Sequence, residues 1–242
     1  NKIYGGSSKL NSKIDIYFIN LDRSKDRLKK FIEDTKNINL YTKRFSGIDG
    51  IKVSRKIIEQ IKYNCEKFRK LGLRKFKTNL SNGQIGCYLS HINLWKKIKK
   101  NKFLLVLEDD IYFTNNFITK FNQVILELPN NWDILLIGWW RQPWKFKNIY
   151  SENQNISKNL QKTNYPFLGG YGYLINQSFI KKMYKYTNIK NIYIPIDNLL
   201  SNNIKNLNIY NTKKPLVGFT NKNSIINRGN HIHNQYHIQE LL

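Results

Sequence analysis

Three consecutive carboxylates, Glu108-Asp109-Asp110, follow five apolar residues, Phe103 to Leu107. A short apolar run that contains Val106 and is bounded by polar residues reads as a buried strand of a parallel sheet. Three acids in a row cannot all be buried with it, because an unpaired buried charge is too costly. They must emerge at the C-terminal end of the strand, where open α/β sheets bind ligands. Carboxylates gathered there suit a hard divalent cation, magnesium or manganese, which in turn bridges phosphate oxygens. Acids after a strand also cap helices or face solvent. For a single Asp that plainer reading would win; for a triplet behind an apolar strand the metal reading wins.

Other candidate chemistry is spread along the chain. Arg23 and Arg27 follow a first strand, Ile14 to Leu21, and sit where Asp22 or Ser24 caps a helix carrying Leu28, Phe31 and Ile32. A strand that delivers arginines to a helix N-terminus is a phosphate or nucleotide seat, or else a surface turn of Arg–Asp pairs. Asp49, in Ser46-Gly47-Ile48-Asp49-Gly50, either touches a nucleotide or holds its own turn. Ser90-His91 lies on a helix opened by a capping box, Ser81 with Gln84, and a helical His among apolar residues is more often structural. Asp197 opens a short helix after Pro195; it either complements the helix dipole or is a second acid facing the first cluster.

These residues need an α/β scaffold. Beyond the first strand, Tyr41 to Phe45, Trp132 to Gly138, Phe167 to Ile175, Leu207 to Tyr210 and Leu216 to Phe219 read as strands. Helices are expected over Val53 to Tyr63, from Ser81 to the lysines after Trp95, from Phe113 to Leu128, and from Asn176 to about Tyr186. Lys67 to Lys77 reads as a basic irregular segment, and Lys145 to Lys162 as a flexible polar connection. Trp139, Trp140 and Trp144 are expected in a loop, where aromatic rings stack on sugars or bases or else plug the core. The glycines of Phe167 to Ile175 allow close approach of a ligand or another backbone.

At 242 residues with 40% hydrophobic content, the chain can bury one sizeable core. Its longest apolar run, Ile134 to Trp140, is far short of the roughly 18 residues a bilayer-spanning helix needs. Asn1 to Ser12 lacks the apolar core of a signal peptide, and with no initiating Met an upstream piece is expected to have been removed. Cys65 and Cys87 have no metal-ligand spacing and read as free thiols of a soluble protein in a reducing compartment. The net charge of +25 invites polyanions or an anionic membrane surface. Its lysines, however, are spread along the chain rather than gathered into a patch. His231, His233 and His237 lie in a polar tail.

Four motifs in order now carry a resemblance. They are Ile19-Asn20-Leu21-Asp22-Arg23-Ser24-Lys25-Asp26-Arg27, then Gly47-Ile48-Asp49-Gly50, then Gly83-Gln84-Ile85-Gly86-Cys87-Tyr88-Leu89-Ser90-His91, then Leu107-Glu108-Asp109-Asp110. Together with Asp133-Ile134-Leu135, Gly172-Tyr173 and Asp197, the chain resembles glycosyltransferase family 25 over roughly residues 14 to 200. That family includes lipooligosaccharide galactosyltransferases and collagen hydroxylysine galactosyltransferases.

The resemblance implies an α/β fold of the GT-A type, with a mainly parallel central sheet flanked by helices, as a transferase domain over 13–220. Residues 1–12 and 221–242 are then polar extensions. It implies a UDP-sugar donor, a divalent metal (manganese preferred, or magnesium) and inversion at the anomeric carbon. The metal falls to Glu108, Asp109 and Asp110, and donor contacts to Asn20, Arg23, Arg27, Asp49, Ser90, His91 and Asp109. Asp197 is the candidate base, with Asp110 as the fallback. Gln84 departs from the family's usual Glu, which keeps the cap but removes a charge. A collagen-like hydroxylysine acceptor is favoured slightly over a lipooligosaccharide or other glycan. Peripheral membrane contact is compatible and specific nucleic acid is not expected. Rival classes are a basic nucleic-acid-binding protein and a non-catalytic sugar-binding module.

Overall fold

The computed structural model describes residues 13–74, 77–100, 102–141 and 152–219. The first half runs β1 (Ile14–Asn20), α1 (Lys25–Asn37), β2 (Lys43–Ser46), α2 (Arg55–Lys70), α3 (Asn82–Trp95) and β3 (Phe103–Glu108). β1 lies between β2 and β3 and is parallel to both. Parallel neighbours require crossovers, and α1 on one side and α2 with α3 on the other supply them. The second half runs β4 (Ile111–Phe113), α4 (Phe117–Glu127), β5 (Ile134–Arg141), β6 (Gln154–Asn155), β7 (Leu160–Lys162) and β8 (Phe167–Ile175), then α5 (Gln177–Met183), α6 (Ile196–Asn202), β9 (Ile209–Thr212) and β10 (Val217–Phe219).

Eight strands form one sheet in the order β2-β1-β3-β8-β5-β9-β7-β6, and β10 pairs antiparallel with β4 beside it. The architecture is mixed α/β, a large sheet flanked by helices. β8 enters antiparallel to both β3 and β5, so the parallel character expected of the sheet is interrupted at its centre. An apolar strand buried on both faces carries the same pattern in either direction, which is why the sequence is silent on this point.

The strand period of two sorts the core onto two faces. Leu104, Val106, Ile134 and Leu136 join Ile85, Leu89, Ile92 and Trp95 of α3 on one face. Leu105, Leu107, Leu135 and Ile137 join Phe31 of α1 and Phe117, Phe121 and Val124 of α4 on the other. Each such side chain contributes roughly 1.5–3 kcal/mol on burial, so β3 is anchored up to its last apolar residue and only its acids emerge.

Several elements differ from expectation. α2 continues to Lys70, so the start of the basic segment is helical. Arg74 in that segment is buried, with its Nε donating to the Tyr193 carbonyl at 2.7 Å, which makes it a tether rather than a patch. α4 starts at Phe117 because Ile111–Phe113 is taken up by pairing with β10. Trp139 and Trp140 belong to β5 rather than to a loop, and Trp139 Nε1 donates to the Thr212 carbonyl at 2.9 Å. The polar connection contains β6 and β7, which extend the sheet. In β8, Gly172 pairs with Gly138, a close approach of another backbone, and a Cβ on either would lie within 2.7 Å of a Val217 methyl. Trp144 and the three tail histidines lie outside the described residues. Cys65 and Cys87 are free, and no helix among the described residues is long and apolar enough to cross a membrane.

Candidate active site

A pocket of about 440 Å³ opens at the C-terminal ends of β1 and β3. Its walls come from the start of α1 (Arg23, Arg27), the loop after β2 (Ile48 to Ile51), α3 (Ser81 to Gly83, Cys87, Ser90, His91) and the acids after β3. The four ordered motifs therefore converge on one cavity, although they are scattered over 90 residues of sequence.

Asn20 ties these walls together. It is the buried last residue of β1. Its Nδ2 donates to Asp109 Oδ2 at 2.6 Å and to the Ser24 carbonyl at 3.1 Å, while its Oδ1 accepts from Arg44 Nε at 2.9 Å. One amide thus joins the ends of β1 and β3, the start of α1 and strand β2. Ser24 is the N-cap of α1 without a side-chain cap bond, and Asp22 instead pairs with Arg44 at 2.6 Å and accepts from Ser46 at 2.8 Å.

In the first turn of α1, Arg27 Nη1 donates to Asp109 Oδ1 at 2.8 Å and to Asp110 Oδ2 at 3.2 Å. Burial works against the Arg27 charge, but the Asp109 hydrogen bond and the charges of Asp110, Asp109 and Glu108 outweigh it and raise its pKa. The Asp110 carboxyl is pushed up to about 7, first by burial and then by Glu108, with Arg27 opposing and Asp109 adding. Among the described residues, the charges of three carboxylates act on the Arg27 guanidinium. Arg23 Nε pairs with Asp49 Oδ2 at 2.7 Å, holding that carboxyl below its usual range against the effect of burial. Asp49 Oδ1 accepts from Ile51 N at 3.2 Å, so Asp49 both caps its turn and places Arg23 on the pocket wall.

The opposite wall depends on two backbones in contact. A Cβ on Gly50 would lie 1.6 Å from the Asn82 carbonyl oxygen, and one on Gly86 would lie 2.4 Å from the Ile48 oxygen. The Gly47–Gly50 loop therefore rests directly on α3. Ser90 secures it: its Oγ accepts from Ile48 N at 2.7 Å and donates to the Gly86 carbonyl at 2.7 Å. At the helix start, Ser81 and Gln84 form the capping box, with Gln84 Oε1 accepting from Ser81 N at 2.9 Å. Gln84 thus serves as a cap through its Oε1.

On the pocket floor, buried His91 points Nε2 at Glu108 Oε1, 3.6 Å away, and Nδ1 meets the Tyr173 hydroxyl at 2.7 Å. Tyr173 also accepts from Trp95 Nε1 at 2.7 Å. Burial drives the Tyr173 phenol well above its ordinary pKa, so it keeps its hydrogen. Cys87 Sγ, His91 and Glu108 offer ligand atoms within 4.8 Å of one another, the spacing of a metal cluster. Burial, joined by the charges of Glu108, Asp197 and Asp110, drives the Cys87 thiol well above its ordinary pKa. Cys87 and Tyr173 both fall within the motifs that carry the family resemblance, but the sequence assigns neither a role at the site. Tyr173 is 82 residues from His91, and no local spacing signals the pair.

Asp197, in the first turn of α6, is outside the pocket lining, but the Glu108 charge acts on it. Burial raises its pKa, and the Glu108 charge adds, while backbone N–H groups of Asn198 and Gly169 hold the carboxylate. Asp133 has a structural post, fully buried with Lys182 Nζ at 2.6 Å and Asn208 N at 2.7 Å.

The sequence profile of glycosyltransferase family 25, described as an LPS biosynthesis protein family, matches residues 13–200. The chain belongs to glycosyltransferase family 25. A glycosyltransferase 25 family member of Anopheles gambiae is 27% identical over 202 residues, covering 76% of this chain and 31% of the mosquito protein. A procollagen lysyl hydroxylase and glycosyltransferase of Acanthamoeba polyphaga mimivirus is 27% identical over 198 residues, 76% of this chain and 21% of that protein. Procollagen galactosyltransferase 2 of Mus musculus is 28% identical over 130 residues, 51% of this chain and 20% of its own length. This family 25 chain thus spans a third or less of the length of these relatives.

Proposed function

We propose that residues 13–220 form a GT-A-type, metal-dependent, inverting glycosyltransferase that moves a sugar, galactose first, from a UDP-sugar to an acceptor hydroxyl. One observation carries the reading: in a family 25 chain, Asp109 and Asp110 meet Arg27, with Glu108 beside them, in the pocket where the family's four motifs converge. The pocket also presents Arg23 and the N-terminal turn of α3, and guanidinium groups and helix N-termini both favour phosphate.

The donor set fits a hard divalent cation. All three acids offer oxygen ligands, and Asp110, its pKa raised first by burial and then by Glu108, is a carboxyl that a divalent cation would compete for with the proton. Both oxygens of Asp109 are engaged by Asn20 and Arg27, so Asp110 and Glu108 would hold manganese or magnesium first, with Asp109 fixing their backbone. When bound, such an ion stabilises the charge of the departing diphosphate. The chain's own residues do the rest. Arg23 and Arg27 orient the donor phosphates, with Asp49 holding Arg23. Asn20 keeps Asp109, and with it the strand end, at the start of α1. Asp197 removes the proton of the acceptor hydroxyl.

For the acceptor, relatives named procollagen galactosyltransferase 2 in mouse and human support a collagen-like hydroxylysine. The family's description as LPS biosynthesis supports a lipid-linked glycan as the second choice. UDP release from UDP-galactose should require manganese or magnesium, and turnover that survives chelation would end the metal reading. Offering a hydroxylysine peptide and a lactosyl acceptor side by side decides the acceptor by which one gains the sugar.

A further inference from the structure

Trp95, Tyr173, His91 and Glu108 form a line from the core to the pocket floor. Trp95 Nε1 donates to the Tyr173 hydroxyl at 2.7 Å, the hydroxyl is 2.7 Å from His91 Nδ1, and His91 Nε2 is 3.6 Å from Glu108 Oε1. Trp95 and His91 are 1% exposed and Tyr173 is 0% exposed, which keeps bulk water out of the line.

The donor inventory sets its direction. An indole N–H can only donate, so one lone pair of the Tyr173 oxygen receives it. The phenol has one hydrogen of its own, and the acceptor beside it is His91 Nδ1. Were Nδ1 to carry hydrogen instead, the Tyr173 oxygen would receive two donors and its own O–H would be buried without an acceptor, a costly arrangement. At the other end, Nε2 lies 3.6 Å from Glu108 Oε1, beyond hydrogen-bond reach, so the ring form is set by the Tyr173 and Trp95 end.

We propose that Tyr173 and Trp95 are positioning residues that fix His91 as the Nε2–H tautomer, so that an N–H rather than a lone pair faces Glu108 at the pocket floor. In this form His91 orients the Glu108 carboxylate beside Asp109 and Asp110 and can be neither a general base at Nε2 nor a metal ligand there. The close approach of Cys87, His91 and Glu108 is then a packing relationship rather than a metal centre. The consequence for turnover rests on the transferase reading above; the tautomer does not.

The test is a long-range proton–nitrogen NMR correlation on the full chain with labelled histidine, near neutral pH with chelator, His91 being assigned by the signals lost in His91→Asn. The expected pattern is a protonated Nε2 and a bare Nδ1. A protonated Nδ1, alone or with Nε2, overturns the proposal. In Tyr173→Phe the single tautomer should give way to a mixture, and turnover of UDP release should fall about tenfold, as for other outer-shell partners, with donor KM little changed. Unchanged His91 signals in that variant remove Tyr173 from the role. Should Tyr173→Phe not fold, Trp95→Phe removes the indole donor but leaves the phenol O–H with Nδ1 as its acceptor, so the Nε2–H form should persist there; a protonated Nδ1 in that variant overturns the proposal. Zinc added to the wild type should leave the Nε2 hydrogen in place, and its displacement by zinc also overturns the proposal. If the wild type releases no UDP, the transferase reading fails while the NMR pattern still decides the tautomer.

Discussion

Arg27 and Asp109 meet at 2.8 Å across 82 residues of chain, and the same nitrogen reaches Asp110 at 3.2 Å. The contact joins the start of α1 to the end of β3, the two places where the sheet presents charge to the pocket. Because Asn20 grips the other oxygen of Asp109, the carboxylate is clamped between a buried amide and a half-buried guanidinium. Arg27→Ala should therefore destabilise the fold by about 2 kcal/mol, below the range for fully buried pairs because Arg27 keeps some solvent contact. Urea unfolding measures this, and a double-mutant cycle with Asp109→Asn should recover most of the loss. Arg27→Lys should keep more stability than UDP affinity, since a lysine offers charge without the fork.

The loop-on-helix wall gives a steric prediction. Gly50→Ala places a methyl carbon 1.6 Å from the Asn82 carbonyl oxygen, and Gly86→Ala places one 2.4 Å from the Ile48 oxygen. Backbone cannot swing aside as a flexible side chain can, so each should cost about 2–3 kcal/mol, at the upper end of overpacking effects. Thermal melting measures it. Gly72→Ala is a useful contrast: its Cβ meets nothing within 4 Å, but φ is +69°. Its cost should come from backbone strain alone, about 1 kcal/mol.

These contacts mark the boundary of what the sequence could reveal. The acids after β3, the arginines after β1 and the Ser81–Gln84 cap are local patterns, set by chain direction, helix start and strand end, and all stand where their spacing puts them. The antiparallel entry of β8 is invisible because burial on both faces erases direction. The contact of Gly50 with Asn82 and the bond of Tyr173 to His91 join segments far apart in sequence, and no local periodicity encodes them. Asn20 illustrates both sides: its place in the motif was evident, but its task, bracing Asp109 rather than facing the open pocket, required the fold. The basic segment after Lys67 misled for a related reason, because nothing local foretells that Arg74 will be buried on the Tyr193 carbonyl.

Asp110 predicts a pH dependence in the metal-free protein. Its folded-state carboxyl lies at about 7, raised first by burial and then by Glu108, above its ordinary unfolded value. The folded state therefore binds the proton more tightly, and its stabilising effect is complete at low pH and lost as pH rises from about 4 through about 7. With chelator present, the melting temperature should fall across that window, and Asp110→Asn should flatten the fall. Manganese should raise the melting temperature more at pH 7.5 than at pH 5.5, because it competes with the proton for the same oxygens. An equal rise at both values would remove Asp110 from the metal site.

Asp197 separates chemistry from scaffolding. Burial, helped by Glu108, raises its pKa, while the backbone N–H groups of Asn198 and Gly169 hold the carboxylate in place. As the base, it must be ionised, so turnover should be lost as pH falls through its raised value. Stability should move the opposite way, declining as pH rises through that value. Asp197→Asn keeps size and shape but cannot take a proton. Its melting temperature should match or exceed that of the wild type at neutral pH, since burial favours a neutral group. Its turnover should nevertheless fall roughly a hundredfold or more, the usual contribution of a general base, with UDP affinity unchanged because Asp197 is outside the pocket lining. Retained turnover would take the base assignment from Asp197 and pass it to Asp110. A loss of turnover together with a loss of UDP affinity would instead show that Asp197 shapes the donor pocket through Glu108.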